Sequence, residues 1–245
     1  MKQALKNLTK KLLASQGYAA VRLVDDRRAF DLMDGAFLRL ANRRHFFNTV
    51  IDIGASNGSW SGSLMKYFPL CQYLLIEAQP VHAEALREFC KDHNNVHVVL
   101  AVAGESSGQI FFDATDPFGG QASYTPYASN NIQLPVTTVD NEIQARRMIG
   151  PYLIKLDTHG FEIPILKGAS RTLAETDVIV MECYNFKIAP ECLLFFEMCN
   201  YLKGLGFRCI DVVDLMHRPY DESFWQMDIV FIKDTRPEFL YPSYR

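Results

Sequence analysis

The sequence lacks several features that would assign it to a class at once. It contains no apolar run near the roughly 18–20 residues of a membrane-spanning helix, and no apolar core of a secretory signal peptide near its start. The six cysteines include no Cys-x-x-Cys pair, which disfavours the common zinc and redox motifs. The Gly-x-Gly-x-x-Gly fingerprint of dinucleotide-binding folds is also absent. We therefore expect buried free thiols and a cytoplasmic location.

Charge of one sign is not in excess either. The formal net charge is −3, which gives no support for nucleic acid as a partner. Hydrophobic residues make up 49% of the chain and charged residues 22%, as in ordinary globular domains. The charge is unevenly distributed, however, because residues 1–44 carry ten Lys and Arg against four Asp and Glu.

The basic N-terminal segment begins with an amphipathic pattern. Leu5, Leu8, Leu12 and Leu13 recur on one side of a helix, with lysines around them. We predict an N-terminal helical extension over residues 1–45 and one domain over residues 46–245. The first helix can pack on its own domain or associate weakly with a membrane surface, and both alternatives stay open. The sequence gives no oligomeric state.

From residue 49 onward, β-rich segments alternate with helical stretches, which is typical of βαβ units and a buried parallel sheet. The predicted strands are Thr49–Ile53, Tyr73–Glu77, Val96–Ala101, Tyr152–Asp157, Val178–Cys183, Phe207–Val213 and Met227–Lys233. The predicted helices are Ser59–Tyr67, Pro80–His93, Ile163–Glu175 and Cys192–Leu205. An insertion over residues 104–135, rich in Gly and Pro, interrupts this alternation and predicts either a functional loop or a small extra sheet.

The strongest local motif is Val50-Ile-Asp-Ile-Gly-Ala-Ser-Asn-Gly58. A strand leads into a glycine turn and a helix follows, so bare backbone can approach a ligand and helix N–H groups can face an anionic group. Glu77 ends the next predicted strand, where an acidic side chain can accept both hydroxyls of a ribose. A packing turn and a surface glutamate are the alternatives, but the two features together predict a nucleoside site.

A third group of candidate residues comprises Asp157, His159 and Glu162, at the carboxyl end of a predicted central strand. Ligands bind at that edge in open α/β sheets, so we expect these residues to act in catalysis. Alternatively, the two carboxylates cap the following helix. The three side chains also offer oxygen and nitrogen ligands for a metal, and a metal requirement stays open.

These motifs together resemble the FkbM-type family of S-adenosylmethionine (SAM)-dependent methyltransferases, over roughly residues 49–233. The resemblance lies in Asp52-Ile-Gly-Ala-Ser-Asn-Gly58, Glu77-Ala-Gln-Pro80, Val136-Thr-Thr-Val-Asp140, Ile154-Lys-Leu-Asp-Thr-His-Gly-Phe-Glu162, Leu166-Lys-Gly-Ala169 and Trp225-Gln-Met-Asp-Ile-Val-Phe231. It implies a Rossmann-like class I methyltransferase fold, an α/β structure with a mostly parallel seven-stranded sheet and an antiparallel last strand.

The resemblance also implies SAM as the cofactor and assigns site residues. The methionine end would be lined by Asp52, Gly54, Ala55, Asn57 and Gly58, the ribose held by Glu77, and the adenine flanked by Ala101 and Val102. Asp157 would face the reactive end of the donor. The family often has an amide or an acid where this chain has His159, so the resemblance does not imply a family-wide role for this residue.

The implied reaction is O-methylation of a hydroxyl on a sugar or glycan, or on a polyketide- or lipid-type small molecule. In that reaction His159 is the first candidate for the base, with Asp157, Glu162 and Glu182 as rivals. The insertion and the loop Asp214–Gln226 would select the acceptor. The alternatives are an NAD-linked oxidoreductase, which the missing glycine fingerprint disfavours, and a non-catalytic SAM-binding regulatory or scaffold protein.

Overall fold

A computed structural model describes residues 31–127 and 131–244 of the chain. The amphipathic helix predicted at the start of the sequence lies outside the described residues. The first described helix, α1 (Met33–Asn42), packs Phe37 and Leu40 into the core. Phe37 meets the ring of Trp60 edge to face at 5.1 Å. Among the described helices, none combines the length and the apolar character needed to span a bilayer.

The described strands number eleven and form two sheets. They are β1 (Thr49–Ile53), β2 (Gln72–Glu77), β3 (Val96–Leu100), β4 (Val102–Ala103), β5 (Gly108–Asp113), β6 (Gln121–Ser123), β7 (Asn131–Thr137), β8 (Tyr152–Leu156), β9 (Thr176–Tyr184), β10 (Phe207–His217) and β11 (Phe224–Lys233). The remaining helices are α2 (Ser59–Met65), α3 (Ala83–Asp92), α4 (Val139–Arg146), α5 (Glu162–Lys167), α6 (Ser170–Ala174) and α7 (Phe195–Gly204).

The large sheet has the strand order β10-β11-β9-β8-β1-β2-β3. All its neighbouring strands are parallel except around β11, which pairs antiparallel with both β9 and β10. Every residue of β1 and β8 is buried, as expected for parallel strands covered on both faces. The seven strands predicted from the sequence are therefore confirmed, and with them the class I methyltransferase fold.

Two predicted helices differ from the observed ones. The predicted helix Pro80–His93 begins with a 3-10 turn over Pro80–His82 before α3. The predicted helix Ile163–Glu175 is two short helices, α5 and α6, separated at Gly168. A Cβ on Gly168 would lie 1.9 Å from the carbonyl oxygen of Gly104. The chain breaks its helix there because the start of the insertion packs directly against the backbone.

The insertion forms a second, four-stranded sheet in the order β4-β7-β5-β6. Its inner face contributes Ile110, Phe112 and Leu134 to the core that also contains Ile51 and Ile76 of the large sheet. Of the two alternatives for this segment, the small extra sheet is thus the one observed. It stands over the carboxyl edge of β1 and β2.

Candidate active site

A cavity of about 360 Å³ opens at the carboxyl edge of β1, β2, β8 and β9. Its volume lies in the usual range for small-molecule sites. One half has an apolar wall that includes Ala101, Val102 and Phe112, together with Glu77. The other half is lined by polar groups, namely Asp157, His159, Glu182, Tyr184 and Gln226. The two halves meet at Gly54.

The glycine turn has the backbone that its sequence predicts. Gly54 and Gly58 have φ values of +74° and +83°, in the left-handed region that favours glycine. A Cβ on Gly54 would lie 2.0 Å from the carbonyl oxygen of Asp157, so any side chain there would force β1 and β8 apart. The turn is therefore pressed against the strand end that carries the acidic half of the cavity.

Glu77 lies at the end of β2 with its side chain buried in the cavity wall. Its Oε2 accepts the backbone N–H of Ser56 at 2.7 Å, and its Oε1 accepts that of Gln79 at 2.7 Å. These two bonds fix the carboxylate between the glycine turn and the start of the next segment. Each oxygen keeps a second lone pair with which it can accept a further hydrogen bond from a ligand.

Asp52 occupies a different position, because it is fully buried behind the turn and does not line the cavity. Its Oδ2 accepts the hydroxyl of Ser61 at 2.7 Å, and its Oδ1 lies 3.2 Å from the Nζ of Lys155. The same ammonium donates to the carbonyl of Gly54 at 2.8 Å and lies 3.4 Å from Oδ2 of Asp157. Lys155 thus connects the turn to the acidic half of the site.

Among the other predicted donor contacts, Ala101 and Val102 line the cavity, whereas Ala55, Asn57 and Gly58 do not. Asn57 is exposed and accepts the backbone N–H of Ser59 at 3.1 Å. The direct donor contacts assigned to Asp52, Ala55, Asn57 and Gly58 stay predictions.

The polar half of the cavity brings Asp157 and His159 together with Glu182 from the neighbouring strand. The Nε2 of His159 lies 3.8 Å from Oδ1 of Asp157 and 3.8 Å from Oε2 of Glu182. Burial raises the pKa of Asp157, but the charges of Lys155 and His159 outweigh it, so this pKa lies below its ordinary value. Asp157 is therefore the ionised member of the pair of carboxylates.

Glu182 has the opposite character. Burial, and then the charge of Asp157, raise its pKa to about 8. The hydroxyl of Tyr184 donates to its Oε2 and the amide of Gln226 donates to its Oε1. Burial and the same Asp157 charge raise the pKa of Asp228, two residues further along β11, to about 7. The cluster therefore holds more carboxylates than it readily ionises together near neutral pH.

Glu162 is not brought to this cluster, although the sequence groups it with Asp157 and His159. Its Oε1 accepts the backbone N–H of Gly160 at 3.0 Å and the hydroxyl of Thr158 at 3.1 Å. Burial raises its pKa, while these hydrogen bonds act in the other direction. The Glu162 side chain stabilises the turn after β8 and does not line the cavity.

Two side chains of the segment after β2, Gln79 and His82, bind the insertion and so close the apolar half of the cavity. Neither was assigned a function from the sequence. Gln79 donates to the carbonyls of Asp116 and Pro117 at 2.9 and 2.8 Å. His82 donates from Nε2 to the Pro117 carbonyl at 2.8 Å. Their positions in the chain, two and five residues after Glu77, were the available signal, but their partners lie more than thirty residues away.

Glu182 was already a candidate base from the sequence, and Lys155 could have been found from the sequence in the same way. Each is a charged residue inside an otherwise apolar strand, Leu153-Ile-Lys-Leu156 for Lys155 and Val178-Ile-Val-Met-Glu182 for Glu182. Because a buried charge is costly unless it is paired, such positions indicate partners in the interior.

A solved FkbM methyltransferase from Methylobacillus flagellatus KT is 17% identical, with a TM-score of 0.48, and the match covers 74% of this chain and 43% of that one. A precorrin-6y C5,15-methyltransferase from Geobacter metallireducens GS-15 is 13% identical over 89% of this chain and 95% of that one, with a TM-score of 0.45. A putative O-methyltransferase from Klebsiella pneumoniae is 11% identical over 93% and 89% of the two chains, with a TM-score of 0.47.

The chain thus spans less than half the length of the Methylobacillus protein. No curated protein matches the sequence. The family model described as the methyltransferase FkbM domain matches residues 52–209. This match covers more than half of the chain and includes the glycine turn, Glu77 and the Asp157–His159–Glu182 cluster. The chain therefore belongs to the FkbM methyltransferase family.

Proposed function

We propose that this protein is a SAM-dependent O-methyltransferase that acts on a hydroxyl of a sugar or glycan, or of a polyketide- or lipid-type small molecule. One observation carries the proposal. A glycine turn and a buried glutamate, suited to a nucleoside, share one cavity with a cluster of two carboxylates and an imidazole. The first half suits a methyl donor, and the second suits removal of a proton from an acceptor.

The residues present fit the donor. Glu77 has free lone pairs for ribose hydroxyls, and Ala101, Val102 and Phe112 offer an apolar wall for an adenine ring. Gly54 leaves backbone exposed beside the acidic edge, where a side chain has no room. The ionised Asp157 lines the cavity at that edge and would be a favourable group for a positive charge there.

When bound, SAM supplies a reactive methyl group on a positively charged sulfur. The protein then has to align the acceptor oxygen with that group and take its proton. We assign His159 as the proton acceptor because its ring lines the cavity and its Nε2 lies 3.8 Å from the ionised Asp157, which stabilises the imidazolium that forms. Asp157 and Glu182 are thus assigned to orient and stabilise His159, while Glu162 supports the turn.

A test of the whole proposal is incubation with labelled SAM and a panel of sugars, glycolipids and hydroxylated natural products. We expect label transfer to a hydroxyl by the wild type and at least about a hundredfold less by Asp157→Ala. Unchanged turnover by Asp157→Ala on a genuine acceptor would remove the catalytic assignment. Calorimetry with NAD in place of SAM tests the oxidoreductase alternative, and SAM binding without transfer to any acceptor would favour the scaffold alternative.

A metal requirement is tested separately. One ligand atom from each of Asp157, His159 and Glu182 lies within 4.8 Å of the others, which is close enough for a shared cation. Proton transfer from the acceptor to His159 needs no cation. We therefore expect dialysis against EDTA to leave label transfer unchanged, and a loss restored by Mg²⁺ or Mn²⁺ would show that the cluster works through a metal.

A further inference from the structure

Lys155 is a buried cation that connects three parts of the site. We propose that it is a positioning residue of the methyl-donor site, which holds the glycine turn and the Asp157 carboxylate in one fixed relation. This inference rests on the proposed function. It concerns a residue that touches neither the expected donor nor the expected acceptor, since Lys155 does not line the cavity.

The contacts of the ammonium converge from separate elements. The Nζ of Lys155 lies 2.8 Å from the carbonyl oxygen of Gly54, 3.2 Å from Oδ1 of Asp52 and 3.4 Å from Oδ2 of Asp157. Only 7% of its side chain is exposed. An ammonium has three N–H donors, so one contact can be made with each of the three partners.

Balancing the charge of Asp52 does not by itself explain this arrangement. Asp52 is fully buried, and a neutral pair of similar size would avoid the cost of burying two ions. The ammonium additionally binds the carbonyl of Gly54, the turn residue after β1 at which a side chain has no room. The turn and Asp157 must approach a donor from two sides, and misplacement by about 1 Å can cost a hundredfold in rate. A rigid cation between them prevents that displacement.

The three ionised groups, Asp52, Lys155 and Asp157, carry one net negative charge. The double variant Asp52→Asn with Lys155→Met also leaves one negative charge, on Asp157, and leaves no unpaired ion at position 52 or 155. A second double variant, Asp52→Asn with Lys155→Gln, has the same charge but keeps an amide N–H donor for the Gly54 carbonyl. This matched pair separates the hydrogen bonds of residue 155 from its charge.

The experiment measures the SAM dissociation constant by calorimetry and the melting temperature, for both double variants and for Asp52→Asn alone as the reference. We expect the Met variant to bind SAM about tenfold to a hundredfold more weakly than the reference. The Gln variant should recover part of that loss. The melting temperatures of the two double variants should agree within a few degrees, because neither contains an unpaired buried charge at position 52 or 155.

Equal SAM affinity in the Met and Gln variants would overturn the proposal, whether both match the reference or both are weakened. The proposal would also be overturned if the Met variant bound SAM more weakly and also had a lower melting temperature than the Gln variant. Lost stability would then explain its weaker binding. A wild-type protein that binds no SAM would refute the proposed function itself, which is a different result from a wild type that binds and variants that do not differ.

Discussion

Replacing Glu77 with Gln removes one carboxylate oxygen at the centre of the proposed ribose site. In the wild type the two oxygens accept the N–H groups of Ser56 and Gln79, both at 2.7 Å. The amide of the variant can satisfy only one of them, and its NH₂ group then faces the other N–H donor. Hydrogen bonds to charged groups contribute about 1.5–3 kcal/mol each. The variant also loses the charge that would accept a ribose hydroxyl.

A loss of about 2–3 kcal/mol in donor binding corresponds to a SAM dissociation constant about 30-fold to 150-fold higher. Isothermal calorimetry measures this directly. Glu84→Gln is the matched control, because Glu84 is exposed on α3 and pairs with Arg87 of the same helix. The control should bind SAM as the wild type does. A Glu77→Gln protein that is folded, by its circular dichroism spectrum, and binds SAM with wild-type affinity would refute the nucleoside assignment.

Three further predictions concern the turn and the polar half. We expect His159→Asn to lower the turnover number by about 10²–10⁴-fold, measured in a stopped assay, because the variant lacks the base. Its SAM dissociation constant, measured by calorimetry, should stay within a few fold of the wild-type value. Retained turnover would exclude His159 as the base. The folded state raises the pKa of Glu182 to about 8 and therefore favours its protonated carboxyl. The contribution of this proton to the free energy of unfolding is lost as the pH rises through that value. The melting temperature should therefore fall between about pH 5 and pH 8, and less so in Glu182→Gln; equal slopes would contradict the raised pKa. Gly54→Ala should destabilise the protein by more than about 2 kcal/mol, since its Cβ would lie 2.0 Å from the Asp157 carbonyl, whereas Gly204→Ala, with open space around it, should not. Similar unfolding midpoints in urea for these two variants would show that the turn tolerates a side chain.

Local sequence patterns predicted the part of the site that depends on local backbone. The strand-turn-helix around Gly54 and the strand end at Glu77 are each encoded within a few residues, by apolar runs and by glycines at left-handed positions. The alternation of strands and helices also indicated the mostly parallel pairing of the large sheet, but not its strand order. The turn at Gly54 and the strand end at Glu77 were predictable because each is stabilised mainly by its own residues.

Contacts between distant segments were less accessible. Proximity in sequence grouped Glu162 with Asp157, but β8 and β9 pair so that Leu156 lies beside Met181, which places Glu182 next to Asp157. Asp228 and Gln226 join the same cluster because β11 pairs antiparallel with β9. Strand order and register determine these neighbours, and neither is legible in a single segment. The break in the predicted helix at Gly168 has the same origin, in a contact with Gly104.

The position of the insertion changes which part of the protein can select an acceptor. From the sequence, the insertion and the loop before the last strand were both expected to select the acceptor. In the structure, Gln79 and His82 bind the insertion over the apolar half of the cavity, which we propose to hold the donor. Under the proposed function we therefore expect acceptor contacts on the β9–β11 side, where Tyr184 and Gln226 line the cavity and Trp225 packs against Tyr184 and Phe186. Tyr184 and Gln226 also donate hydrogen bonds to Glu182. The residues that would recognise the acceptor and those that set the charge of the site therefore form one connected group.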